Sequence, residues 1–149
     1  MKKTLFMETT GISANKSVAE IQILLAEYGA SAVLIEYDNN DIKAVSFKHR
    51  SDGEEIPYRL PCEWKAIKEL LSHKHKRKPY KKDLDEEAKR IAWRQSRRWV
   101  EAQLAYFQSR QVKFEQLFLS YRLISPTETL YERLESMKFK LLSYKGEEK

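Results

Sequence analysis

DLDEEAKRIAWRQSRRWVEAQLAYFQ, residues 83–108, is the stretch from which the fold can be read. It predicts one long helix. Asp83 can cap the first turn, and Glu86 sits three residues on, at the capping-box position. No Gly or Pro interrupts the run. At about 100° per residue, Leu84, Ala88, Ile91, Ala92, Trp99, Ala102 and Tyr106 share one face. Trp93, Val100, Leu104 and Phe107 share a second. The remaining polar strip, about 100° wide, holds Glu87, Arg90, Arg94, Arg97, Arg98 and Glu101. A helix that is apolar over most of its circumference must be covered from two sides. Residues 83–108 are therefore expected to form the core helix, with Trp99 and Tyr106 inside and an arginine ridge turned outward.

Upstream of this helix the pattern changes to strands. Residues 4–9 suit a short first strand or an extended arm. A helix follows, with Ser17 and Glu20 as its capping box, Val18, Ile21, Leu25 and Tyr28 on one face, and Gly29 placed to end it. Three β-type runs come next, at 31–37, 42–49 and 54–60. Their connections, Asp38-Asn39-Asn40-Asp41 and Ser51-Asp52-Gly53, have hairpin chemistry. The expectation is β-α-β-β-β, with the later strands an antiparallel meander facing inward through Val33, Ile35, Val45 and Phe47.

Pro61 ends the sheet and opens a short helix bearing Trp64, Ile67, Leu70 and Leu71. Residues 73–82 form a basic linker to the long helix. After Ser109 a short helix (Phe114, Leu117, Phe118, Tyr121) turns back. Ser125-Pro126-Thr127-Glu128 then supplies cap, proline and acid for a last helix carrying Leu130, Leu134, Met137 and Leu141. The fold class expected is α+β. One domain spans 1–149, with a sheet half at about 4–60 and a helical half at about 62–143, consistent with a chain long enough for a single core.

Composition bounds the function. The formal charge of +6 is uneven: residues 61–98 hold thirteen Lys or Arg against six Asp or Glu. A concentrated positive patch points to an anionic partner. The single Cys62 excludes an intramolecular disulfide and fits a reducing compartment. The apolar run after Met1 is too short for a signal peptide, and no stretch approaches the roughly 18 apolar residues of a membrane span. A cytoplasmic protein with no membrane association is expected.

Several segments resemble a family of uncharacterised small proteins encoded by tailed phages and prophages. They are KSVAEIQILLAEYGA, EYDNN, SFK of the third strand, IPYRLPCEW, RIAWRQSRRWVEAQLAYF and TLYERL, and they extend over about residues 8–134. Family members often carry a small, Gly-containing turn after the long helix and a Pro after the next aromatic-rich helix. Those positions here are Ser109-Arg110-Gln111 and Ser120. The resemblance implies a viral or mobile-element origin, with the chain acting in the host cytoplasm. It implies no mechanism.

Of the candidate sites, the arginine ridge comes first. Arg90, Arg94 and Arg98, four residues apart, with Arg97 beside them, could track phosphates, which Arg grips through two N–H groups at once. Lys76, Arg77, Lys78, Lys81 and Lys82 lie close by in sequence, with Tyr80 available to stack on a base. The competing reading is a solvated helix face on which Glu86 pairs with Arg90 and Arg97 with Glu101.

His73 and His75 lack further ligands and sit among lysines, so no metal site is expected. Cys62 would lie near a helix N-terminus, where a thiolate is favoured, but no His is placed to activate it. Glu36, Asp38 and Asp41 lack the Glu-x-Lys of a metal-dependent nuclease, because the third strand has Ser46-Phe47-Lys48. No Gly-rich phosphate loop is present. No cofactor and no catalytic group is expected.

Two functions follow. The first is a non-enzymatic protein binding nucleic acid through the ridge and the basic linker. The second is a counter-defence or host-takeover protein that docks on a host protein or sequesters an anionic nucleotide.

Overall fold

A computed structural model of the chain describes residues 4–74, 83–144 and 146. The fold is α+β, as the pattern predicts. Helix α1 (Ala14–Glu27) leads into a three-stranded antiparallel sheet, β1 (Ala30–Asp38), β2 (Asp41–Ser51) and β3 (Glu54–Arg59), with β2 in the middle. Helix α2 (Trp64–Lys74) and the long α3 (Leu84–Gln108) follow. Then come α4 (Phe114–Leu117), a 3-10 turn at Leu119–Tyr121, and a two-stranded ladder of β4 (Leu123–Ser125) and β5 (Glu128–Thr129). Helix α5 (Leu130–Ser136) and a last 3-10 turn (Lys140–Leu142) complete the described chain.

The strand alternation sorts the sheet into two faces. Val33 pairs with Phe47 and Ile35 with Val45 on the inner face, where Tyr58 and Ile56 join from β3. Val45, Phe47 and Tyr58 are buried there against Val18, Ile21 and Leu25 of α1 and Trp93, Val100 and Leu104 of α3. Phe114 and Phe118 close the end of this core, with Phe118 edge-on to Phe47 at 5.5 Å. Residues of both expected halves thus share one core. A second, smaller cluster joins Leu71 of α2 to Ala88 and Ile91 of α3, with Leu5, Trp64, Ile67 and Leu84 packed on it.

Several expectations are corrected. Residues 4–9 are not a strand: Glu8 N–H donates to Leu5 O and Thr10 N–H to Met7 O, so the segment turns. It turns because Leu5 packs into the α2–α3 cluster, while the Glu8 carboxylate accepts from both Leu5 N and Lys74 Nζ. The order is therefore α-β-β-β. Helix α1 is capped four residues earlier than expected. Ser13 is the N-cap, accepting from Lys16 N, and Ser17 lies buried inside the helix. Its C-terminus ends as expected, at Gly29 with φ +95°, a conformation open to Gly at little cost.

His73 and Lys74 belong to α2 rather than to a linker, and residues 75–82 lie outside the described residues. Tyr106 and Ala102 are exposed, not core, because no element among the described residues covers that side of α3 beyond Trp99. Leu70 is also exposed. Ser125–Glu128 makes the β4–β5 turn instead of a helix start. The cap of α5 is Thr129, in a capping box with Glu132. Leu141 falls outside α5 and is exposed, since Lys138 and Phe139 take left-handed conformations that end the helix.

Candidate functional site

The helix cap sets the phase of α3 and so decides where its arginines point. Asp83 accepts from Asp85 N and Glu86 N, as predicted. From there the helix runs unbroken to Gln108 with Ala88, Ile91, Ala92, Trp93, Val100 and Leu104 buried. Trp93, placed by the sequence close to the basic ridge, is fully inside the main core. Trp99 is partly buried and lies edge-on to Phe118 and Tyr121.

The ridge itself divides. Arg94 is 7% exposed, and its Nη1 donates to Glu20 Oε2 of α1 at 2.9 Å. Arg97 Nε donates to the other oxygen, Glu20 Oε1, at 3.2 Å, and its Nη1 to Glu101 Oε2. Arg98 reaches Glu101 Oε1 at 3.4 Å from an exposed position. One carboxylate on α1 therefore holds two guanidinium groups of α3. Burial opposes ionisation of Glu20, but the hydrogen bond and charge of Arg94, and those of Arg97, outweigh it and hold its carboxyl below the ordinary value. Glu101 is likewise lowered, first by its hydrogen bond from Arg97.

The expectation of an outward arginine ridge is corrected for Arg94. A phosphate could reach its guanidinium only by displacing Glu20 from a packed helix interface. The expected Arg97–Glu101 pair forms; the expected Glu86–Arg90 pair does not. Arg90, half-buried, has no acidic partner among the described residues. Glu20 was read in the sequence as a capping residue. Its partners lie more than seventy residues away, a separation that no local pattern reports.

Lys89, which no motif singled out, is also buried. Its ammonium donates to Asp41 Oδ2 at 2.9 Å and lies 4.7 Å from the centre of the Trp64 ring. That cation ties the β1–β2 turn and α2 to the N-terminal part of α3. Lys68 pairs with Asp85 at 2.7 Å on the same helical hairpin. The basic residues Lys76, Arg77, Lys78, Lys81 and Lys82 fall outside the described residues, in the segment that joins Lys74 of α2 to Asp83.

Elsewhere the chemistry is quiet. Burial pushes the Cys62 thiol up to about 12, against the hydrogen bond it shares with Ser96, so the group is not a thiolate at neutral pH. Burial here outweighs the proximity of a helix start. Cys62 lines a cleft of about 430 Å³ with Lys43, Arg59, Glu63, Tyr121 and Tyr131. Arg59 lies 3.9 Å from Glu36, a further pair. Among the described residues no group of His, Cys, Asp and Glu is arranged to hold a metal ion, and no helix is long and apolar enough to cross a membrane. Compared with known proteins, the chain matches no family model, no curated protein sequence and no solved structure.

Proposed function

We propose that this chain is a non-enzymatic nucleic-acid-binding protein. Its contact residues would be the basic run Lys76, Arg77, Lys78, Lys81 and Lys82 together with Arg90 and Arg98 of α3. The observation that supports this reading is where the surplus charge resides. Residues 75–82 hold five Lys or Arg and no acid. Arg94 and Arg97, by contrast, are spent on Glu20 and Glu101. Five clustered cations on a phosphate backbone release condensed counterions, and the resulting affinity is independent of sequence. Tyr80 adds a ring on which a base can stack. The resemblance to small phage proteins suits a role in phage DNA metabolism or gene control.

The test is fluorescence anisotropy with labelled single- and double-stranded DNA and RNA, at roughly 50 and 200 mM salt. The wild-type chain should bind and lose affinity steeply as salt rises. Replacing Lys76, Arg77, Lys78, Lys81 and Lys82 together by Gln should flatten the log–log salt slope by about 3.5 on single strands and about 4.5 on duplex DNA, if each meets one phosphate. Arg90→Glu/Arg98→Glu should weaken binding less and leave the fold intact. Failure of every nucleic acid to bind at low salt would overturn the reading. It would leave the counter-defence alternative, docking on a host protein or sequestering an anionic nucleotide, as the one to pursue.

A further inference from the structure

The two sides of the main sheet are finished differently. The outer side of β3 meets Arg122, just before β4, through one isolated bridge at Tyr58. The outer side of β1 has no neighbouring strand, and among the described residues no backbone hydrogen bond from another segment reaches it. Such an edge presents a row of unpaired N–H and C=O groups. Proteins blunt these edges with Lys, Pro or bulges. β1 has no Lys and no Pro. Its two register shifts, at Ala30/Ala32 and Glu36/Tyr37, flank a regular run from Ala32 to Glu36. At the centre of that run stands Leu34, 58% exposed on the outer face.

We propose that two copies of this chain pair through β1, antiparallel about a two-fold axis at Leu34, to form one continuous six-stranded sheet. An axis perpendicular to the sheet keeps the helical layers of both copies on the same side. It sets Leu34 against Leu34 of the second copy, Val33 against Ile35, and Ala32 against Glu36. Every opposed pair then shares a face, which a shift by one residue would break.

Charge fits the same register. Within the chain Ala32 lies beside Lys48 of β2. The row in the dimer therefore runs from Glu36 across the second copy's Ala32 to its Lys48. Two strand spacings, about 9–10 Å, separate Glu36 from that lysine, with only an alanine side chain between. Long side chains close such a gap: Glu36 already meets Arg59 across β2 at 3.9 Å. Sliding the pairing by four residues, which moves the axis to Glu36, would instead set the two Glu36 carboxylates face to face, which is destabilising.

Sedimentation equilibrium of the full chain is the first measurement, with twice 17.7 kDa expected. Leu34→Lys places like charges directly opposite each other at an exposed position. It should return the mass to that of the monomer while leaving thermal unfolding of a dilute sample unchanged. Leu34→Cys supplies an independent readout. Directly opposed residues lie about 4.5–5.5 Å apart at Cα, within disulfide reach, so mild oxidation should give a covalent dimer. Lys48→Cys, one strand further in, should not cross-link, and neither should the wild-type chain, whose Cys62 is half-buried. A wild-type chain that stays monomeric at roughly 100 μM, where a micromolar dimer would be populated, overturns the proposal. A dimer that survives Leu34→Lys and fails to cross-link through Leu34→Cys overturns it as well.

Discussion

His49 occupies the end of β2 with its ring fixed from three directions. Nε2 lies 3.1 Å from Tyr28 O at the end of α1, Phe114 stacks on the ring at 3.5 Å, and Gly29 approaches so closely that a Cβ there would sit 3.3 Å from Nε2. The imidazole is 8% exposed. Burial lowers its pKa below 6.5, against the Tyr28 carbonyl and the Glu115 charge, which favour the cation. The sign follows from linkage. With the folded pKa below the unfolded one, the unfolded chain binds more protons just under pH 6.5, so acid favours unfolding. The stability due to a neutral His49 is complete above pH 6.5 and is lost as pH falls through the folded pKa. The slope from this one group can reach about 1.4 kcal/mol per pH unit. Urea unfolding between pH 5 and 7 should show it, and His49→Phe, which keeps the stack and cannot titrate, should flatten that limb. An unchanged slope in the variant would assign the acid sensitivity to other groups.

Between elements, the Glu20–Arg94–Arg97 contact is what joins α1 to α3 where their apolar faces give out. Removing one partner of a buried ion pair costs about 3–5 kcal/mol. The Glu20 side chain is 27% exposed, so water compensates in part, and Glu20→Gln should cost about 1–3 kcal/mol. For a chain of this size that lowers Tm by roughly 2–4 °C per kcal/mol. Arg98→Ala, at an exposed pair, should cost less than about 0.5 kcal/mol. The Glu20→Leu/Arg94→Met double variant should lose less than the sum of its single substitutions, since neither charge is left alone in the interface. Thermal denaturation by circular dichroism compares all five variants. A Glu20→Gln variant as stable as the wild type would mean that the arginines are satisfied by water, and the outward ridge would be restored as a binding surface.

For the whole molecule, the main core decides how the chain unfolds. The inner face of the sheet is covered by Val18, Ile21 and Leu25 from before it and by Trp93, Val100, Leu104, Phe114 and Phe118 from after it. Neither half can bury its apolar surface without the other, and burial of each such side chain contributes about 1.5–3 kcal/mol. Leu104→Ala should therefore cost about 2–5 kcal/mol. It should lower the transitions seen by far-ultraviolet circular dichroism and by tryptophan fluorescence together, as one cooperative unit. Two separated transitions would show the sheet and the helices melting as independent bodies.

Local chemistry was enough to determine the elements whose signals are local. The Asp83 cap and the 3.6-residue period placed α3, and the hairpin residues after Tyr37 and Arg50 placed the three-stranded meander with Val33, Ile35, Val45 and Phe47 inward. Where the local signal misled, packing decided. Ser17 reads as a helix cap, but it is buried inside α1 and Ser13 caps instead. Residues 4–9 read locally as a strand or extended arm but form a turn, because Leu5 packs on α2 and α3. The arginine ridge was legible as a row of charges on one strip of a helix. That Glu20 of another helix neutralises Arg94 and Arg97, that Lys89 is drawn in under Trp64, and that β1 is left with an open edge are properties of packing. Periodicity reports which face of an element is apolar; which charges meet across two elements depends on how those faces are brought together in space.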